Sequence, residues 1–550
     1  MGTEPRQDIS RGDFLKLVAA STAALALDWR RTEAVAAEVT RGSSGPVVVI
    51  GGGLGGLSAA ATLARRGVPV TLVEQHIKPG GYATTFERAD GKFTFDVSLH
   101  ATSAARGGLY QMLEAAGVQD QVQTVELPEL CRIITPDHEF VWPQRDPDAI
   151  VEQLVQVFPE EQEGIRSFFD YLMGIMDEAM KEFNRNSWWA RLAFPFTHRK
   201  MWGVRNMTFG DVLDDHVQDP RVRSVLSSFW GYYGLPPSRL SGFYYCIATA
   251  SYIRFGGHYV TRRSQDLSDA LMAAIEANGG QVLLGTRATA ITAEGGAVTG
   301  VTTADGHYLD ATAVISNASV PGTLRLLRDG TDPGALGEAA EEYFQRLESF
   351  RPSLSTFLVW LGLNQELRGR VEGYEFFVQN GYDPERAYQA ALACDPTECD
   401  LGVTIYDNAY EGYSSPGTST VALIMLSGYE PWRRFEADYL AGRKEGYLSE
   451  KERIAQALID RAEERVVPGL RSMIEVVEAA TPLTNLRYTR NPEGAIYGYE
   501  QVLDNAYMKR LPMTTPIAGL YYASAWTNPG GGYQPCLQAG MDAALALLGD

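Results

Sequence analysis

The run Gly51-Gly52-Gly53-Leu54-Gly55-Gly56 constrains this chain most, because of what stands on either side of it. Pro46 to Ile50 is a short β-branched stretch that reads as a buried parallel strand. Leu57 to Ala64 is alanine-rich and reads as a helix, with Gly67 suited to its C-terminal cap. Val68 to Val73 reads as a second strand, ending at Glu74. Strand, glycine loop, helix, strand and terminal acid in that order form a dinucleotide site. Gly51 permits the tight turn, Gly53 lets the backbone approach a pyrophosphate, and Gly56 lets helix pack on strand. The helix start at Leu54 and Gly55 offers free N–H groups and partial positive charge to phosphates. Glu74 can accept hydrogen bonds from a ribose diol, which disfavours a 2′-phosphate but does not separate FAD from NAD.

At 550 residues the chain exceeds a single core and should hold two domains. Its 48 basic against 68 acidic residues leave a formal charge of −20, which argues against nucleic acid as a partner. Seven scattered histidines show no metal-ligand spacing, so no metal is expected. Cys131, Cys246, Cys394, Cys399 and Cys536 contain no C-x-x-C pair and read as buried small hydrophobes. At the N-terminus, Arg11 and Lys16 flank the start of an apolar run from Phe14 to Leu27, shorter than the ~20 residues of a membrane span. Ser10 to Lys16 resembles a twin-arginine export signal with Gly12 in place of the second arginine, and Ala34-Val35-Ala36 offers a cleavage site. Residues 1–37 are therefore read as export signal-like, which implies a periplasmic or membrane-associated protein. If the segment stays attached as an anchor, the cytoplasmic face of a membrane is the alternative.

Further along stand Gly80-Gly81-Tyr82-Ala83-Thr84-Thr85-Phe86 and Phe93-Thr94-Phe95-Asp96-Val97-Ser98-Leu99-His100. Near the C-terminus comes Gly519-Leu520-Tyr521-Tyr522-Ala523-Ser524-Ala525-Trp526-Thr527-Asn528-Pro529-Gly530-Gly531-Gly532. With Ala288 to Ile291, Val314 to Ala318, Thr481 to Thr484 and Pro492 to Gly498, these motifs resemble the flavoprotein superfamily of phytoene desaturases, carotenoid isomerases and retinol saturases. The resemblance spans most of 46–550. It implies an α/β (α+β) fold with a Rossmann-like FAD-binding domain of the amine oxidase/phytoene desaturase type. It also implies bound FAD, with Glu74 and Gln75 at the ribose and Gly80, Gly81, Tyr82 and Ala83 near the phosphates or ribityl chain. The backbone at Ala288 would meet the adenine, and Leu99, Asn317, Ser524, Ala525, Trp526, Gly532, Tyr533 and Gln534 would complete the site toward the isoalloxazine. Pro535 suits a helix start, so N–H groups near Tyr533 and Gln534 would face the flavin O2 side. Two departures from the family pattern stand out: Ser524-Ala525 where a Gly-Asp-like pair is usual, and Arg262-Arg263 where Gly-Gly is common.

The flavin-touching pieces come from 44–115, 260–330 and 480–550, so that domain is discontinuous. A mixed substrate domain should be assembled from 116–259 and 331–479. Asn278-Gly279-Gly280 and Ala304-Asp305-Gly306 read as hairpin turns. The segment 187–202 mixes Trp188, Trp189, Phe194, Phe196 and Trp202 with four basic residues and could contact a lipid interface. His100, following the Phe93 to Leu99 strand, is the best acid/base candidate, and Tyr497, Tyr522 and Tyr533 are weaker donors. With no second dinucleotide loop, electrons must come from or go to an external carrier. The leading expectation is an FAD-dependent oxidoreductase acting on carbon–carbon double bonds of a long apolar polyene or isoprenoid, by saturation, desaturation or cis–trans isomerisation. A flavin amine oxidase and a non-catalytic flavoprotein partner in an exported electron-transfer assembly are the alternatives.

Overall fold

A computed structural model describes residues 45–98, 101–103, 108–181, 188–332, 336–506 and 509–549. The export-like segment 1–37, Leu99 and His100 lie outside the described residues. β-Branched Val47–Ile50 pairs in parallel with Ala313–Ser316 on one side and Val70–Val73 on the other. Leu520–Tyr522 and Gln281–Leu283 form the two edges, giving a five-stranded parallel sheet drawn from five distant stretches. The glycine loop leads from the central strand into the helix Leu54–Arg65, buried along nearly its whole length between the helices Arg263–Ala277 and Tyr533–Leu548. Only small side chains and glycines let three helices approach this closely, and the alanine-rich sequence supplies them.

Ala288–Glu294, Ala297–Thr303 and Tyr308–Asp310 form an antiparallel meander, and Ala304 to Gly306 turns between its last two strands. Asn278 to Gly280 is not a hairpin turn. It ends the helix Arg263–Ala277, with Asn278 as C-cap and Gly279 at φ 83°, and feeds the sheet edge Gln281–Leu283. Asn and Gly serve helix ends and hairpins through the same left-handed backbone, so the dipeptide alone does not choose between them.

The second large element is a mixed sheet of seven strands in the order Ile474–Ala480, Ser355–Leu363, Ser419–Ser427, Leu401–Ile405, Glu375–Val378, Cys131–Ile134 and Glu139–Trp142. All neighbours run antiparallel except Glu375–Val378 with Cys131–Ile134. Ser355–Leu363 is buried on both faces. Phe357, Val359, Leu361 and Leu363 enter the core that holds the helices Gln162–Ala179 and Gly242–Phe255, whereas Leu358 and Trp360 face the dinucleotide side. Strand alternation thus gives one strand two jobs: it closes a core and builds a wall. Among the described residues no helix is long and apolar enough to cross a membrane.

Candidate functional site

The glycine loop is shaped by what its missing side chains would strike. A Cβ on Gly55 would lie 1.9 Å from the Ala523 carbonyl oxygen, and one on Gly56 1.9 Å from the Gly51 oxygen. A Cβ on Gly53 would meet Asn317 Nδ2 at 2.6 Å. Gly51, at φ 95°, donates to the Val73 oxygen at 2.8 Å and makes the turn. Gly80 donates to the Gly52 oxygen at 2.7 Å and joins a second glycine pair to the first. Behind the loop, Gly540 of the last helix presses on Gly55, where a Cβ would stand 2.1 Å from the Gly55 oxygen. Ser58 Oγ donates to the Leu537 oxygen at 2.7 Å across the same seam.

Glu74 closes one end of this cradle. Its two oxygens accept the Gly52 N–H at 2.6 Å and the His76 N–H at 2.7 Å, which fixes the carboxylate at the rim. Burial pushes its proton affinity up despite those bonds, so further donors such as a ribose diol would be welcome there. Gln75 is tied down as well, donating to the Tyr488 oxygen and accepting from Arg490 Nε.

The cradle opens into a cavity of about 1130 Å³. That is above the roughly 300–1,000 Å³ of an ordinary small-molecule site, leaving room for a dinucleotide and a second ligand. Gly51, Gly53, Leu54, Gly55, Glu74, Gln75, Gly80, Gly81, Tyr82, Ala83, Ala288, Asn317, Ser524, Ala525, Trp526, Gly532 and Tyr533 all border it. Gly56 and Gln534 do not. Gly56 is consumed by helix-on-strand packing, and Gln534 turns toward Gly108. The helix begins at Tyr533, which puts Pro535 third in it rather than first. Tyr522 is also off the wall, buried in its strand, whereas Tyr497 and Tyr533 are on it. Glycine backbone, helix N-terminus and ribose acceptor occur together at one end, and these residues fit FAD.

The Ser524-Ala525 departure is backed by an unusual support. Arg510, fully buried, donates to the oxygens of Ala525 at 2.7 Å, Tyr497 at 3.1 Å, Tyr499 at 3.0 Å, Thr527 at 3.2 Å and Asn505 at 3.4 Å. Burial lowers its guanidinium to about 10. One cation thereby staples the 497–499 and 525–527 segments, both of which contribute to the wall. The second departure is absorbed locally. Arg262 pairs with Asp266, while Arg263, at φ 69°, donates to the Tyr413 oxygen and lies 4.2 Å from that ring.

Away from the cradle the wall becomes apolar: Leu358, Trp360, Ile424, Ala479, Ile496 and Tyr232 face the space. Trp360 Nε1 donates to the Asp96 oxygen at 2.8 Å. The Asp96 carboxyl itself is sealed, accepting from Tyr259 Oη and Ser264 Oγ, and burial pushes it up to about 7. Asp96 lies in the Phe93 to His100 motif but without a role assigned to it, and Trp360, Tyr232 and Glu375 behind it, and Arg510 are not singled out by any sequence motif. The one usable signal was a lone acid opening an apolar strand, Glu375-Phe376-Phe377-Val378.

The aromatic segment is anchored from inside. Phe194 and Met201 are buried, His198 stacks on Phe194 at 4.5 Å, and Phe196 is 79% exposed. Among the described residues, no three side chains gather as a metal site.

A glycine cradle opening into a partly apolar cavity fits, as a class, a dinucleotide-dependent oxidoreductase. The family model described as flavin containing amine oxidoreductase matches residues 54–548, and the chain belongs to that family. It is 26% identical to the all-trans-retinol 13,14-reductase of Macaca fascicularis over 514 residues, covering 86% of this chain and 81% of that protein. It is also 26% identical to a chloroplastic prolycopene isomerase 2 of an Oncidium hybrid cultivar, covering 92% and 84%. Among solved structures, an oxidoreductase from Methanosarcina mazei shares the fold at a TM-score of 0.59 and 19% identity, over 92% of this chain and 99% of that one. The protein is an FAD-dependent oxidoreductase.

Proposed function

We propose that this enzyme acts on carbon–carbon double bonds of a long apolar polyene or isoprenoid, of the carotenoid or retinoid type. The observation that carries the reading is the apolar half of the cavity, where Leu358, Trp360, Ile424 and Ile496 continue from the glycine cradle without a barrier. Bound FAD would accept or deliver a hydride equivalent. The chain's own part is to hold the dinucleotide at Gly53, Gly55 and Glu74, to exclude water with the Leu358–Trp360 wall, and to orient a rod-like ligand along it. The names of the retinol reductase and prolycopene isomerase relatives support this substrate class.

An amine substrate would need a carboxylate or an open aromatic cage near the reacting carbon. Of the acids that line the cavity, Glu478 is already held by Arg88 at 2.6 Å and Lys451 at 3.4 Å. Electrons would then pass to or from an external carrier, and the exposed Phe196 region would draw substrate from a lipid surface.

The test incubates the purified flavoprotein with all-trans-retinol, a carotenoid and an amine panel, under reducing and oxidising conditions. A saturated, desaturated or isomerised polyene is the expected product. Peroxide from amines with no polyene product would establish the amine oxidase reading instead.

A further inference from the structure

Tyr232 lies in the short helix Trp230–Tyr233, and its ring borders the cavity. Phe229 stacks on it at 5.7 Å and Phe377 meets it edge-on at 5.2 Å. Tyr497 Oη donates to the Gly231 oxygen at 3.0 Å and pins the turn that carries it. The Tyr232 hydroxyl donates to Glu375 Oε1 at 2.5 Å. Of the other phenols on the wall, Tyr497 and Tyr533 donate to backbone oxygens and Tyr447 shares its hydroxyl with Thr481 and Thr484.

Glu375 is 3% exposed and opens the strand Glu375–Val378, opposite Thr404. The ionisable groups facing it are Tyr232, Tyr252 of the helix Gly242–Phe255, Cys131 of the adjacent strand, Tyr374 beside it in sequence, and Tyr406. Burial raises the proton affinity of each of these, so none brings a charge near neutral pH. Burial likewise pushes the Glu375 carboxyl up to about 7, with the Tyr232 hydrogen bond opposing it. A carboxyl that keeps its proton near neutrality, joined to a phenol on a substrate wall, is arranged for proton transfer.

We propose that Tyr232 is the acid that protonates the substrate carbon, and that Glu375 is the positioning residue behind it that restores the phenol. The inference rests on the polyene reading above. Bound, reduced FAD would supply a hydride equivalent to one alkene carbon. With the hydrogen bond between the pair turned so that Glu375 donates, Tyr232 Oη gives its proton to the other carbon. The π bond, the phenol O–H bond and the reductant's bond to the transferred hydride are lost, and two C–H bonds form. The phenolate takes the Glu375 proton, and water reprotonates the carboxylate when product leaves. Run backward, the same pair removes a proton during desaturation.

The experiment uses the holoprotein, pre-reduced with dithionite, and all-trans-retinol as probe. Tyr232→Phe should lower single-turnover formation of saturated product by roughly a hundredfold or more, while retinol binding, read from tryptophan quenching, stays within about twofold, the loss being in proton transfer rather than capture. The wild-type rate should fall as pH rises through about 7, where Glu375 gives up its proton. Glu375→Gln should abolish that limb and Glu375→Asp restore it at a displaced pH. An unchanged rate in Tyr232→Phe, or an unchanged limb in Glu375→Gln, overturns the proposal.

A second readout does not need turnover. The component of the protonated-carboxyl infrared band that is lost in Glu375→Gln, as distinct from that of Asp96, should titrate near pH 7 and shift on retinol binding in wild type but not in Tyr232→Phe. If no product forms with any polyene, the function reading fails. The band then decides the relay by itself, and a Glu375 ionised throughout pH 5–8 overturns it.

Discussion

The two halves of the cavity are built on opposite physical terms. The cradle over the five-stranded sheet is made of backbone, and its shape depends on side chains that are not there. Gly55 and Gly56 face carbonyl oxygens at distances no Cβ could hold. The chamber against the seven-stranded sheet is made of side chains, with Leu358, Trp360 and Ile424 standing out from regular strands. Contacts with peptide groups cannot give way, whereas aliphatic and aromatic chains repack. The cradle therefore fits one cofactor, and the chamber can accommodate a range of apolar shapes.

The sharpest way to break this contrast is one methyl group in the cradle. Gly55→Ala should cost more than about 3 kcal/mol of cofactor binding, at or beyond the upper range for overpacking. The purified protein should then carry little flavin, measured as flavin absorbance per protein. Full flavin content would show that the Ala523 peptide can move aside, and the contrast would fall.

Glu74→Gln comes next. Loss of a charged acceptor for two N–H groups and the ribose should weaken FAD by about 1.5–3 kcal/mol, roughly ten- to hundredfold. Fluorescence titration of the flavin-stripped protein measures it.

The third prediction sits on the chamber side. Glu375 holds a proton to about 7 in the folded protein, against an ordinary value of 4.5. The folded state therefore binds more protons in that window, and stability falls as pH rises through it. Between pH 6 and 8 the loss amounts to about 1.4 kcal/mol, from an average of about half a proton over two pH units. Denaturant midpoints for wild type should show this fall on top of other titrations, and Glu375→Gln should flatten it by that amount. A Glu375→Gln slope equal to wild type would mean the carboxyl is ionised in the fold.

The smallest effect is expected from Leu358→Met. A volume-conserving change in the chamber should shift stability by less than about 1.5 kcal/mol and leave flavin content untouched, while altering the preference among the apolar ligands proposed for it. A loss of flavin here would erase the difference between the two halves.

That difference also explains what could be read from the amino-acid order. The cradle was legible because its parts are local: Gly51 to Gly56 and Glu74 belong to one βαβ unit and its end, and the Gly80-Gly81 pair follows within a few residues. Ser524 to Trp526 was legible through a motif, and it adjoins the loop because Leu520–Tyr522 pairs with Ala313–Ser316. The chamber was not legible. Tyr232, Leu358, Glu375 and Ile424 come from separate stretches brought together by long-range packing; all but the lone acid Glu375 look like ordinary core in their own neighbourhoods. Asn278-Gly279 shows a second limit, since a left-handed turn fits both a helix end and a hairpin.

The seam between the helices Leu54–Arg65 and Tyr533–Leu548 also joins an early and a late part of the chain at the cofactor site. Ser58 and Leu537 are 479 positions apart, yet they share a hydrogen bond beside the contact of Gly540 with Gly55. During synthesis the glycine loop emerges early with its local bonds to Val73, Glu74 and Gly80, whereas its contacts with Ala523, Leu537 and Gly540 wait until residues 520–548 leave the ribosome. A chain broken off between the two stretches carries the full dinucleotide motif without the far side of its seam.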